Sequence, residues 1–280
     1  MPAFQLPDGR PAIMGVLNVT PDSFSDGGRF LDEDAAVRRG EEMLAEGADL
    51  IDVGGESTRP GAQPVSAEEE LLRVLPVVKR LVAAGAKVSI DTSKHVVAAE
   101  CMGAGATVLN DISALSDPAM AKLCADTWCT VCLMHMQGDP RTMQENPRYD
   151  DVVAEVRASL LKAANAAEQA GVSRDCIWLD PGIGFGKTLG HNLQLLSNLD
   201  TLVETGYPVL VGVSRKSFIG KLLGPEGEPA PADERLEGTL SAQVLAQSKG
   251  ARIIRTHDVS AAVRASLVAC ALIDQAQAPS

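Results

Sequence analysis

The sequence predicts an α/β fold in which one chain of 280 residues closes a single (β/α)8 barrel, the TIM barrel, with its active site at the carboxyl-terminal face of the strands. Two observations carry that expectation. Eight short apolar runs, each ending abruptly in polar residues, recur at a spacing of about 30 to 40 residues, with helical patterns between them. No low-complexity tract divides the chain, 45% of which is hydrophobic, so residues 1–280 read as one domain around one large core. A doubly wound open sheet is the structural alternative.

In chain order, PAIMGVLN (11–18) is the first strand. Glycine then precedes each of six apolar runs: Gly47 before ADLIDVGGES, Gly85 before AKVSIDTS, Gly103 before AGATVLNDIS, Gly171 before VSRDCIWLDPG, Gly206 before YPVLVGVSRK and Gly250 before ARIIRTHD. Glycine just past a helix supplies its left-handed closing residue, and a continuous apolar run reads as a strand covered on both faces. TWCTVCLMHM (127–136) adds the eighth strand. Helical patterns occupy Asp32–Glu46, a segment opening at Ser66, Lys94–Met102, a segment opening at Asp117-Pro118, Asp150–Ala170, His191–Thr205, Glu234–Lys249 and Val259–Gln275. Ser66 and Glu69 have capping-box spacing; Leu71, Leu75, Val78 and Val82 share a face; Pro76 is expected to kink that helix. Asp117 before Pro118 reads as a cap and a first helical residue.

Closing the barrel would gather the strand ends, with Asn18, Asp52, Glu56, Asp91, Asn110, Asp111, Met134, His135, Asp180, Lys216, Arg255 and His257, on one face. The most pointed of these ends is Pro208–Gly220, where the apolar run Val209–Gly212 turns at once to Ser214, Arg215, Lys216 and Ser217 at a helix start, a setting for an anion or a polarised carbonyl. Two long polar connections, Val19–Leu31 and Gly54–Val65, have the character of loops that close over a ligand, whereas Gly224–Asp233 reads as a solvated loop. Gly182, Gly184 and Gly186 before Lys187-Thr188 resemble a phosphate loop, but Pro181 stands where that motif needs glycine. These glycines are expected to let backbone pass close to a flat ligand beside Asp180.

The net charge of −12, without a basic patch interleaved with aromatics, excludes a nucleic-acid footprint and means that an anionic ligand needs local cations or a metal. No stretch approaches the roughly 18 apolar residues of a membrane span, and the N-terminus has no leader pattern, so a soluble cytoplasmic protein is expected. The six cysteines, Cys101, Cys124, Cys129, Cys132, Cys176 and Cys270, suit a reducing compartment. Cys129 and Cys132 have C-x-x-C spacing, but within a strand they point to opposite faces, which favours packing over metal binding.

Eight blocks, one per strand end, resemble the dihydropteroate synthase family: MGVLNVTPDSFSDGG (14–28), VGGESTRPGA (53–62), SIDTSK (89–94), LNDIS (109–113), MHMQGDPRTMQ (134–144), LDPGIGFGKT (179–188), VGVSRKSFIG (211–220) and IRTHDV (254–259). The resemblance implies an enzyme of folate synthesis that joins 4-aminobenzoate to 6-hydroxymethyl-7,8-dihydropterin diphosphate with Mg²⁺. It further implies a homodimer and a site where sulfonamides compete. A pterin-binding methyltransfer domain would lack the S-R-K-S and S-T-R-P-G blocks. A noncatalytic pterin-binding paralogue would lack a diphosphate or loop residue.

The resemblance assigns the pterin to Asp91, Asn110, Ile112, Met134, Asp180, Phe185, Gly212, Lys216 and Arg255, of which Asp91, Lys216 and Arg255 are catalytic. A carboxylate only accepts, so Asp180 suits the N–H edge of a pterin; Lys216 suits its carbonyl, and the flat guanidinium of Arg255 can stack on the ring. The diphosphate falls to Asn18, Thr58, Arg59, Arg255 and His257, with Asn18 and Asp26 as Mg²⁺ ligands. The aminobenzoate falls to Phe24, Thr58, Arg59, Pro60, Phe185, Lys216 and Ser217. Asp91, held negative beneath the ring, would stabilise a cation left on the pterin methylene as diphosphate departs.

Overall fold

The computed structural model describes residues 4–20, 29–57, 61–225 and 227–277. Its strands are β1 (Ala12–Asn18), β2 (Leu50–Gly54), β3 (Val88–Asp91), β4 (Val108–Asp111), β5 (Thr130–Met134), β6 (Ile177–Asp180), β7 (Leu210–Gly212) and β8 (Ile253–Thr256). All pair in parallel in the order β6-β5-β4-β3-β2-β1-β8-β7. The two outer strands meet through a parallel bridge between Leu179 and Val209, where Leu179 N donates to Pro208 O at 2.9 Å. The sheet therefore closes into a (β/α)8 barrel, and the open-sheet alternative is excluded.

The two-residue side-chain period sorts each strand between two cores. Ile13, Leu17, Ile51, Val53, Ile90, Leu109, Leu133, Leu179 and Ile254 pack outward against the helices. Ala12, Met14, Leu50, Val108, Cys132, Trp178, Leu210 and Ile253 fill the barrel itself, closed at the amino ends of the strands by Phe4 and Leu6. Phe4 N donates to Thr130 Oγ1 at 3.0 Å, and its ring meets Trp178 edge to face at 5.7 Å. Trp178 is 1% exposed, so Trp178→Ala should cost about 3 to 5 kcal/mol, read as a lower urea midpoint at unchanged slope. The same parity places Cys129 in the outer core and Cys132 inside the barrel, as their spacing predicts, and all six cysteines are free.

The helices are α1 (Arg29–Ala45), α2 (Ala67–Ala83), α3 (His95–Gly103), α4 (Pro118–Thr127), α5 (Val152–Gln169), α6 (Leu189–Ser197), α7 (Asp200–Val203), α8 (Ser217–Leu223), α9 (Leu236–Ser248) and α10 (Val259–Gln277). Three sequence expectations need correction. His191–Thr205 is two helices: Asn198 turns its side chain back onto Gln194 O at 2.8 Å and leaves helical geometry. Ser66 accepts from Glu69 N at 3.1 Å, but the Glu69 carboxylate pairs with Arg73, so only half of the capping box forms. In α2, which contains Pro76, Leu71, Leu75 and Val82 pack against the outer core beside the fully buried Glu70, Val74, Val77, Val78 and Leu81. Gly103 ends α3, and the left-handed residue before β4 is Gly105, with φ 109°. Among the described residues, no helix is long and apolar enough to cross a membrane.

Candidate active site

Inward positions nearer the carboxyl ends of the strands are polar where those nearer the amino ends are apolar. Asp52, Ser89, Asp91, Asn110, Asp180 and Arg255 all share the parity of the inner cluster. They are built into a hydrogen-bonded group. Asp52, fully buried, accepts from Arg255 Nε at 2.6 Å, Ser89 Oγ at 2.6 Å and Asn110 Nδ2 at 3.0 Å. Arg255 Nη2 donates to Asp91 Oδ2 at 2.7 Å, so one guanidinium bridges two carboxylates from neighbouring strands. Burial opposes the charge on Arg255, but Asp52 and Asp91 outweigh it and hold the group protonated.

Burial also pushes the Asp91 carboxyl up to about 7, against the pull of Arg255 and with repulsion from Asp52, Glu70 and Asp111 added. Burial thus works against the negative charge that Asp91 is expected to hold, and Arg255 works for it.

Across the barrel, Asp180 is 6% exposed and accepts from Gly182 N at 2.7 Å. Burial raises its pKa, opposed by Lys216, the Gly182 amide, Arg255 and Lys187. Lys216 donates to Ile183 O and lies 4.6 Å over the Phe185 ring. Burial pushes its ammonium down to about 8, with Asp180 opposing and Arg255 assisting. Asp180, Lys216 and Arg255 thus feel one another's charge at the carboxyl ends of the strands, where Met134, paired in register with Asp180, adds an apolar side chain. Gly212 sits against Arg255: a Cβ there would lie 3.8 Å from Arg255 Cβ and Cδ, in ordinary contact.

The other expected residues lie farther out. Ile112 is half-buried just past β4, Asn18 is half-buried at the end of β1, and Ser217 is exposed at the start of α8. His257 N donates to Ser214 Oγ at 3.1 Å, and its Nδ1 lies 3.0 Å from the same hydroxyl. Phe24, Asp26, Thr58, Arg59 and Pro60 fall outside the described residues.

Several expected rim groups are engaged elsewhere. Asp111 points outward and accepts from Ser113 N and Leu115 N at 2.8 Å, holding a turn in which Ala114 and Leu115 take φ of 51° and 59°. Glu56 pairs with Lys94, which also pairs with the buried Glu70. Arg215 turns to Asp258. Two of the three glycines after Asp180 are required by neighbouring backbone: a Cβ at Gly182 would lie 1.9 Å from His135 O, and one at Gly186 would lie 2.4 Å from Gln137 O, whereas one at Gly184 would lie 3.1 Å from Lys216 Cδ. Sequence reasoning puts Asp52 on this face without a role; the two-residue period of the strand Leu50–Gly54 is the signal that could have placed it inside. It missed the buried Glu70, which looks like any acidic residue in a helix's first turn.

A closed barrel with a buried ring of carboxylates and cations at the carboxyl ends of its strands defines a barrel enzyme. The sequence pattern of the family described as "Pterin binding enzyme" matches residues 14–257. A dihydropteroate synthase from Escherichia coli (strain K12) is 50% identical over 261 residues, covering 92% of this chain and 90% of that one. The Yersinia pestis dihydropteroate synthase, solved as a sulfonamide drug complex, superposes with a TM-score of 0.90 at 45% identity, covering 97% of each chain. The Xanthomonas albilineans dihydropteroate synthase in complex with 7,8-dihydropteroate gives a TM-score of 0.85 at 44% identity, covering 96% of this chain and 95% of that one. The chain belongs to the dihydropteroate synthase family of pterin-binding enzymes and is a transferase.

Proposed function

We propose that the protein joins 4-aminobenzoate to 6-hydroxymethyl-7,8-dihydropterin diphosphate, releasing diphosphate and 7,8-dihydropteroate through a dissociative displacement. The arrangement that carries this reading is the group of charges at the carboxyl ends of the strands, in which Lys216 acts on the buried Asp180 while Arg255 bridges Asp52 and Asp91. A pterin offers N–H donors and a carbonyl on one edge. Asp180 takes the donors, Lys216 the carbonyl, and Asn110 and Asp91 complete the polar contacts. Ile112, Met134, Phe185 and Gly212 bound the ring, and Arg255 stacks on it.

Departure of diphosphate leaves a cation on the methylene, delocalised over the ring nitrogens. Ionised Asp91 stabilises that charge as it develops. The aniline nitrogen, already neutral near pH 7, forms the new C–N bond and gives its proton to solvent, so no strong general base is needed. We place the aminobenzoate against Phe24, Thr58, Arg59, Pro60, Phe185, Lys216 and Ser217, where sulfonamides would compete with it. The diphosphate falls to Asn18, Thr58, Arg59, Arg255 and His257.

Mg²⁺ fits this donor set as an ion held mostly by substrate. Among the described residues, no group of three or more His, Cys, Asp or Glu is arranged to cage a metal, while Asn18 offers one neutral oxygen at a strand end. An Mg²⁺ on a diphosphate needs only one or two protein oxygens, which we assign to Asn18 and Asp26. When bound, it would offset the charge gathering on the leaving group.

We further propose a cytoplasmic homodimer. Leu245 on α9 and Leu267, Val268 and Leu272 on α10 are 42%, 57%, 62% and 68% exposed, an apolar face that a second copy would cover; sedimentation equilibrium reads the mass.

The test is incubation with the pterin diphosphate, labelled aminobenzoate and Mg²⁺, which should yield labelled dihydropteroate only when all components are present. Pterin binding without labelled product would leave a noncatalytic binder. Lys216→Ala should weaken both substrates by roughly 10- to 100-fold, the worth of a charge-assisted hydrogen bond. Calorimetry showing either substrate unaffected would remove Lys216 from that pocket.

A further inference from the structure

Lys187 is 2% exposed, an uncommon position for a lysine, and the chemistry above makes no use of it. Its ammonium has three partners: His135 Nδ1 at 3.0 Å, His135 O at 3.2 Å and Phe185 O at 2.9 Å. All three are neutral oxygen or nitrogen acceptors. An ammonium donating to Nδ1 requires that nitrogen unprotonated, and burial together with Lys187 pushes the imidazole down to about 4, so His135 is neutral. Behind it, Tyr149 lies 6.1 Å from the His135 ring and 4.9 Å from His191. The charged groups that act on Lys187 are Asp180, which favours the proton, and Lys216, which opposes it.

The contacts join two segments that flank Asp180. His135 N donates to Asp180 O at 3.0 Å, and the close approaches of Gly182 to His135 O and of Gly186 to Gln137 O bring the loop after β6 against the loop after β5. Lys187 crosses that seam from the far side of Gly186.

We propose that Lys187 is a positioning residue for pterin binding: its buried ammonium fastens the loop after β6 to the loop after β5 and supplies a second cation behind Asp180, holding that carboxylate in place and ionised. The proposal rests on the pterin reading given above. Burial pushes Lys187 down to about 7 in the ligand-free protein. The cation is therefore full below that pH and lost as pH rises through it, so pterin affinity should fall on the alkaline side of neutrality. Deprotonation of Lys216, down at about 8, adds a second loss at higher pH.

The experiment is calorimetric titration of the full-length protein with 6-hydroxymethylpterin between pH 6 and pH 9, for the wild type, Lys187→Met and Lys187→Arg. At pH 6, Lys187→Met should bind at least about tenfold more weakly and lose the first alkaline step, keeping only the step owed to Lys216. Lys187→Arg should keep most of the pH 6 affinity and shift that first step out of range. Independently of whether the variants fold, lysine ε-¹³C resonances of the wild type should include one that titrates near 7 and moves to higher pH when pterin is added. Affinity of folded Lys187→Met within threefold of the wild type at pH 6, or no lysine whose titration moves with pterin, overturns the proposal. If the wild type binds no pterin, the functional reading fails first; if wild type and Lys187→Met bind pterin equally, only the role of Lys187 fails.

Discussion

Arg255→Met is expected to remove about 3 to 5 kcal/mol of stability as well as activity, because it strands Asp52 as a buried charge. Asp52 has no exposed surface, and its strongest partner is the guanidinium at 2.6 Å; Ser89 and Asn110 satisfy hydrogen-bonding sites but bring no positive charge. Asp91, already up at about 7, can accept a proton at little cost. Asp52 therefore carries the loss, and the double variant Asp52→Asn, Arg255→Met should recover most of the stability in urea unfolding. Turnover should stay lost in the double variant, since Arg255 is also needed against the pterin and its diphosphate. If Arg255→Met unfolds at the wild-type urea concentration, Arg255 is not what compensates Asp52.

That contrast also shows what the sequence made legible. Apolar runs ending in polar residues located all eight strands and the face on which their ends meet. What the runs alone did not resolve is which of two adjacent polar residues points into the barrel, because this needs the phase of the alternation in the whole barrel. In Asn110-Asp111, the first points inward to Asp52 and the second outward to its own turn. Loop packing was opaque for a different reason: the 1.9 Å conflict that makes residue 182 a glycine involves His135, 47 positions away in the chain, and no local pattern announces it. The same holds for Lys187, whose partner is that same His135, and for Glu70, whose cation, Lys94, comes from the start of another helix. The functional blocks were readable because each sits at one strand end; the contacts that set their geometry cross between strand ends.

Asp91→Asn is expected to lower kcat by roughly 100- to 1000-fold while changing pterin affinity little, since a preorganised charge acts mainly on the charge that appears in the transition state. The pH dependence separates this from a lost contact. A carboxyl raised to about 7 is fully ionised only above that value, so wild-type kcat/KM should fall as pH drops through about 7. Arg255 pulls the other way, and any cation that binds beside Asp91 would pull further, so the acid limb of kcat should lie below that of kcat/KM. Asparagine keeps the shape and the hydrogen bond to Arg255 Nη2 but cannot titrate; the residual activity of Asp91→Asn should be flat across the range where the wild type declines. Steady-state profiles from pH 5 to pH 9 decide it. An Asp91→Asn enzyme that retains the acid limb would assign that limb to another group, with Asp180, also raised by burial, next in line. Equal losses of pterin affinity and turnover would make Asp91 a ground-state contact, and the dissociative path would lose the residue on which it most depends.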